Sequence, residues 1–175
     1  TYVAQELRDL RNRLDRTHRE AGTGAHATID VLVTPLQRPV LARLVAEGRA
    51  IAGTQMTYAL GRLALWSRQP GVVDDRGQAL KSEGLARLAV ANPVLAPYGA
   101  ASVQVLQRMG LWPALQRRMV QGENIGQVFQ FVQSGNVPMG FVAWSQISLD
   151  GKLLQGSAWL VPAEWHQPIR QDAVL

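Results

Sequence analysis

Between Leu88 and Trp144 the chain runs through strand, turn and helix twice in succession and then into a further strand, and this order constrains the fold more than any other feature. Leu88–Ala91 is a short apolar strand, after which Pro97 and Gly99 open a helix with Val105, Leu106 and Met109 turned inward and Gly110 at its end. Met119 and Val120 are a second strand. Asn124 with Gln127 three residues later has the spacing of a capping box, and Ile125, Val128, Phe129 and Val132 form a helical stripe that stops at Gly135. Residues 139–144 are the third strand. A βαβαβ order with short connections predicts an α/β fold built on parallel strands with right-handed crossovers.

The flanking segments are less regular. Val3, Leu7, Leu10 and Leu14 recur at spacings of four, three and four, which predicts an amphipathic helix over residues 2–20 ended by Gly22 or Gly24. Residues 28–33 read as a β-branched strand stopped by Pro35, and residues 40–46 as a helix closed by Gly48. Residues 56–66 alternate loosely and predict one long strand bent at Gly61. Pro70, Gly71, Gly77 and Gly84 make residues 68–84 mostly loop, while residues 157–161 and 169–175 are extended and return to the first part of the chain.

A formal charge of +5 raises the question of nucleic acid, and the distribution of that charge answers it. Residues 1–50 hold 8 Arg against 6 acids, and residues 51–175 hold 10 Lys and Arg against 7, so the excess is diffuse. The densest run, Arg8, Arg11, Arg13, Arg16 and Arg19, is interleaved with Glu6, Asp9, Asp15 and Glu20, as on a solvated helix face. No nucleic-acid partner is expected. With no cysteine there are no disulfides, thiolate metal sites or cysteine nucleophiles, and both cytosol and periplasm stay open. No run approaches the roughly 20 apolar residues of a membrane span, and the start at Thr1 has no signal-peptide profile, so an exported protein would be met here in processed form.

Enzyme chemistry finds little support. Residues 22–27 (GTGAHA) fit G-x-G-x-x-A but follow a helix and precede a strand, the reverse of a dinucleotide-binding turn. His18, His26 and His166 are dispersed, Ser67 and Ser145 lie in no nucleophile elbow, and Asp74-Asp75 sits in a Gly-rich loop where a solvated pair is the simpler account. Trp66, Trp112, Trp144 and Trp159 lie within apolar patterns and read as core. We expect no enzyme, no cofactor and no cation site.

In an open parallel sheet, ligands bind beyond the carboxyl ends of the strands, where helix N-termini present backbone N–H groups. Two turns fit that position, residues 92–99 and 121–125, and neither contains lysine or arginine. Placed side by side they would form a neutral cage of N–H donors for a small anion.

A set of segments carries the reading further: EGRAIAG (47–53), TYALGRLALWS (57–67), GVVDDRG (71–77), LAVANPVLAPYGAA (88–101), QGENIGQVFQFVQSGN (121–136), GFVAWSQI (140–147), GSAWLVP (156–162) and HQPIRQDAVL (166–175). Through these, from about Asp30 onward, the chain resembles periplasmic molybdate-binding proteins, the substrate-binding components of ABC transporters. The resemblance implies a type II periplasmic-binding fold, α/β, with two lobes of parallel-sheet βαβ units and a molybdate or tungstate anion held between them by N–H groups and hydroxyls. It places Tyr98, in the APYG turn, and Ile125, in the GENI turn, at ligand-contacting positions, with Asn124 as the cap of the second turn. These are the two helix starts already selected by pattern.

The departures from the family concern its first lobe. The family opens with a strand leading into an A-A-[NS]-x-[TL] turn and has a serine-rich turn before a helix; neither is found here, and Thr34-Pro35-Leu36 stands where Ser-Ala-Asp is usual. Thr23 is the one stand-in hydroxyl we nominate. The family also continues past QDAVL with helices that complete the first lobe. We therefore expect a partial first lobe in residues 1–61, a whole second lobe in residues 62–150 and a return segment in residues 151–175. The resemblance implies a periplasmic protein that delivers molybdate or tungstate to an ABC transporter permease. The alternative is a sensor, interaction module or degenerate fragment of the same fold with weak or no oxyanion binding. A shortened first lobe would expose apolar sheet or a strand edge, which favours a homo-oligomer.

Overall fold

A computed structural model describes residues 31–32, 43, 45–48 and 50–173. Its contacts divide the chain into two units, residues 61–169 and residues 1–60 with 170–175. The helix expected over residues 2–20, and Thr23, lie outside the described residues.

The larger unit is organised by one five-stranded mixed sheet in the order β5-β4-β6-β3-β9. Its strands are β3 (Leu63–Ser67), β4 (Leu88–Ala91), β5 (Met119–Gly122), β6 (Gly140–Ala143) and β9 (Ser157–Leu160). β4 runs parallel to both β5 and β6, with Leu88 opposite Met119 and Ala89 opposite Gly140, whereas β3 runs antiparallel to β6 and to β9. Because β3, β4 and β6 are covered on both faces, they are continuous apolar runs without polar alternation, as buried strands must be.

Alternate residues of these strands feed two cores. Leu63, Leu65, Leu88, Val90 and Phe141 pack with α1 (Pro97–Arg108) on one face. Ala64, Trp66, Ala89, Ala91 and Val142 pack with α3 (Ile125–Gln133) on the other. The result is three layers, helix, sheet, helix. On the α3 face the Trp66 ring stacks on Phe129 with centroids 5.4 Å apart, and its indole N–H donates to the Gln155 carbonyl at 2.9 Å. Trp66 and Trp159 are buried, while Trp112 and Trp144 are half-buried.

Helix ends follow the local chemistry. Pro97 begins α1, where its missing N–H costs nothing. At the other end Gly110, at φ +71°, donates to the Gln107 carbonyl at 3.0 Å while Leu111 N–H reaches the Leu106 carbonyl at 2.8 Å, the two bonds of a Schellman motif. After α1 a short helix, α2 (Trp112–Leu115), leads toward β5. After β6 come α4 (Trp144–Ile147) and a two-stranded hairpin of β7 (Ser148–Leu149) and β8 (Lys152–Leu153).

Two sequence expectations change. The strand expected over residues 56–66 is two strands, β2 (Met56–Gly61) and β3, which belong to different sheets and part at Arg62. The larger unit also runs past residue 150, where we expected it to end. β9 pairs with β3, Ala64 opposite Leu160 and Ser67 opposite Ser157, and Val161 N–H donates to the Leu63 carbonyl, so the return to the smaller unit starts only at Arg170.

A second sheet is formed by β1 (Val31–Leu32), β10 (Ile169–Ala173) and β2 in the order β1-β10-β2, with Val31 opposite Ala173 in antiparallel register. Residues 43, 45 and 46 are helical, and Gly48 at φ +67° donates to the Val45 carbonyl at 3.1 Å, which closes that turn where the sequence places its end.

Candidate functional site

The connections that leave β4 and β5 part company. From β4 the chain passes into α1 on one face of the sheet, and from β5 into α3 on the opposite face. Neighbouring parallel strands whose connections diverge in this way open a crevice at their carboxyl ends, the position where open α/β sheets bind ligands. Both turns singled out in the sequence meet there. Pairing persists one residue beyond the strands, since Asn92 N–H donates to the Gly122 carbonyl at 2.7 Å.

Inside the first turn most donors are already used. The Asn92 side-chain oxygen accepts from Val94 N–H at 2.9 Å and Leu95 N–H at 3.3 Å, and the Asn92 carbonyl accepts from Ala96 N–H at 2.8 Å. Pro93 and Pro97 carry no N–H. The next amides along the chain are those of Tyr98 and Gly99 in the first turn of α1, at the positive end of that helix. Gly99 sits hard against the sheet: a Cβ there would run into the Ala91 carbonyl oxygen and lie 2.7 Å from that of Asn92. Only glycine lets the helix start approach the strand end this closely.

The second turn is fixed by a reciprocal clasp. Asn124, extended at the N-cap, accepts Gln127 N–H on its side-chain oxygen at 2.9 Å, and the Gln127 side-chain oxygen accepts Glu123 N–H at 2.6 Å. The amides left in this turn are those of Asn124, Ile125 and Gly126. The Ile125 side chain is half-buried against both cores, so its contribution to the crevice comes from the main chain.

Thus the helix starts carrying Tyr98 and Gly99, and Asn124, Ile125 and Gly126, follow the carboxyl ends of the adjacent parallel strands β4 and β5. Thr23 lies outside the described residues. Gln146 escaped the sequence reading: its side-chain oxygen accepts Ala143 N–H at 3.0 Å while its amide reaches the Ile125 carbonyl at 3.5 Å, bracing the second turn from a distance of 21 residues. No local pattern announces such a brace. The other candidates take structural roles. Asp74 accepts N–H bonds from Arg76, Gln78 and Ala79, Ser67 donates to the Pro138 carbonyl, and the His166 ring contacts the Gln167 carbonyl at 2.8 Å. Among the described residues no group of His, Asp or Glu could hold a metal ion. A cavity of about 250 Å³ lined by Val72, Ala79, Ser82, Leu85 and Met139 lies where β4 and β6 begin, at the other end of the strands from the crevice.

Comparison with known proteins matches residues 17–175 to the model of the bacterial extracellular solute-binding proteins. The chain belongs to this family. Among curated relatives, this solute-binding protein is 52% identical over 133 residues to the molybdate-binding protein ModA of Azotobacter vinelandii, covering 76% of this chain and 53% of the relative. It is 46% identical over 134 residues to ModA of Rhodobacter capsulatus, covering 76% and 51%. The solved periplasmic molybdate-binding protein of Azotobacter vinelandii superposes with a TM-score of 0.73 at 36% identity, over 91% of this chain and 68% of that one. The fold is therefore that of the periplasmic binding proteins, and the solute-binding chain spans about half the length of the curated relatives it matches.

Proposed function

We propose that this chain binds a tetrahedral oxyanion, molybdate or tungstate, at the β4/β5 crevice and serves an ABC transporter permease from the periplasm. The observation that carries the reading is the convergence of two helix starts, at Tyr98 and Ile125, on adjacent parallel strands, in a chain about half identical over three quarters of its length to a molybdate-binding protein.

The chemistry suits such a cargo. A dianion that accepts several N–H bonds at a site free of lysine and arginine is held by charge-assisted hydrogen bonds and by the positive ends of two helices. No bond is made or broken, no cofactor is required, and the residues have no catalytic task. Donors fixed by Asn124, Gln127 and Gly99 favour an anion of one radius, because hydrogen-bond geometry worsens when a smaller anion such as sulfate replaces a larger one. Tyr98 and Ile125 act through their amides, Asn124 shapes the turn, and Thr23 is the hydroxyl we nominate.

Titration calorimetry with molybdate, tungstate and sulfate tests the proposal. Binding of the first two at one site per chain, without response to sulfate, is the expected result. Absence of heat with every oxyanion would select the competing reading, a sensor or interaction module of the same fold with little oxyanion affinity.

A further inference from the structure

The Tyr98 side chain ties the first turn of α1 to both places where the chain enters and leaves the larger unit. Gly61 and Ile169 are the first and last residues of that unit. A Cβ built on Gly61 would collide with the Tyr98 hydroxyl, and would stand 2.8 Å from Cζ of the same ring and 2.9 Å from Cγ2 of Ile169. Gly61 has no positive φ, so a side chain is excluded there by space and not by backbone conformation. The ring has little freedom to yield. Tyr98 is 5% and Ile169 2% exposed, both within one core cluster, and close-packed interiors pass a displacement on instead of absorbing it. From the other side, the buried Ser102 hydroxyl donates to the Tyr98 carbonyl at 2.6 Å and fixes the main chain at the turn.

We propose that Gly61 is a positioning residue for the oxyanion site: by leaving room for the Tyr98 ring beside Ile169, it sets where the Tyr98 and Gly99 amides stand at the crevice. This rests on the oxyanion reading above. It also gives the side chain of Tyr98 a task that a purely main-chain ligand would not need. The ring is the lever through which a glycine 37 positions earlier in the sequence fixes the amide of the residue that carries it.

The test is a molybdate titration of the 175-residue chain and three variants, with thermal midpoints measured in parallel. Gly61→Ala should weaken molybdate binding about tenfold, the effect of misaligning one charge-assisted hydrogen bond, while the variant remains folded at the titration temperature. Adding Tyr98→Phe to Gly61→Ala removes the atom in sharpest conflict and should recover part of that loss, which general destabilisation would not do. Tyr98→Leu keeps the amide, cannot reach Gly61 and should also weaken binding. Should Gly61→Ala fail to fold, Tyr98→Leu carries the test alone. Parent-level affinity in Gly61→Ala or in Tyr98→Leu, with the parent binding molybdate, overturns the positioning role and leaves the oxyanion reading standing. A parent that binds no oxyanion overturns both.

Discussion

Two residues show how a single side chain organises a turn in this protein. Asp74 gathers the loop before β4: its carboxylate accepts Arg76 and Gln78 N–H on one oxygen, at 2.8 and 3.1 Å, and Ala79 N–H on the other at 2.8 Å. Partial burial alone would raise its pKa, but the N–H bonds from Gln78, Arg76 and Ala79 outweigh it and hold the carboxyl below the usual carboxylate range. A group whose pKa is depressed on folding contributes stability above its unfolded value and loses it as pH falls through the folded one. Urea midpoints should therefore drop below about pH 4 partly through this group, and Asp74→Asn should flatten that part of the profile, whereas an unchanged profile would remove Asp74 from the account. At Asn124 the cap is separable from the ligand. Asn124→Ala should lower stability by about 1 kcal/mol, read from denaturant midpoints, and should weaken anion binding less than loss of an amide does. Ile125 is the first residue of α3 and follows an extended Asn124, so proline is accommodated there. Ile125→Pro should consequently fold and lose about 1.5–3 kcal/mol of oxyanion binding, with Ile125→Val close to the parent in the same titration.

At the scale of elements, what positions the crevice is the parting of α1 and α3 to opposite faces of the sheet, together with the closeness of each helix start to its strand. Gly99→Ala tests the closeness. Its Cβ would meet main chain, which has no rotamer to give way, so a loss of about 1–3 kcal/mol is expected in urea unfolding, with weaker anion binding beside it. These elements are also the most legible in the sequence. Pro97 before an apolar stripe, the Asn124 and Gln127 spacing, and the Gly110 and Gly135 stops are local chemistry, and local chemistry can be read along a chain. Pairing between distant strands is different. The run at Ser157–Leu160 is recognisably extended, yet nothing within it says that its partner is β3, about 90 residues earlier, so local pattern alone does not carry the larger unit past residue 150. The break at Arg62 was hidden for the same reason, because β2 and β3 are each good strands and only their partners separate them. The Gln146 brace and the Tyr98 seat on Gly61 likewise depend on contacts between residues far apart in sequence.

For the whole molecule, the larger unit has its own two-sided core and contains both turns, residues 92–99 and 121–125. Oxyanion binding to the native state should also stabilise it by mass action, by about 2.7 kcal/mol when the anion is present at 100 times its dissociation constant, and a melting midpoint indifferent to molybdate would count against binding. In the proposed mode of binding, main-chain amides at the carboxyl ends of β4 and β5 hold the anion. Amide chemical shifts followed by two-dimensional NMR during a molybdate titration address it most directly. The largest shifts are expected on Tyr98, Gly99, Asn124, Ile125 and Gly126, saturating together. Shifts concentrated elsewhere, with these five amides unmoved, would contradict it.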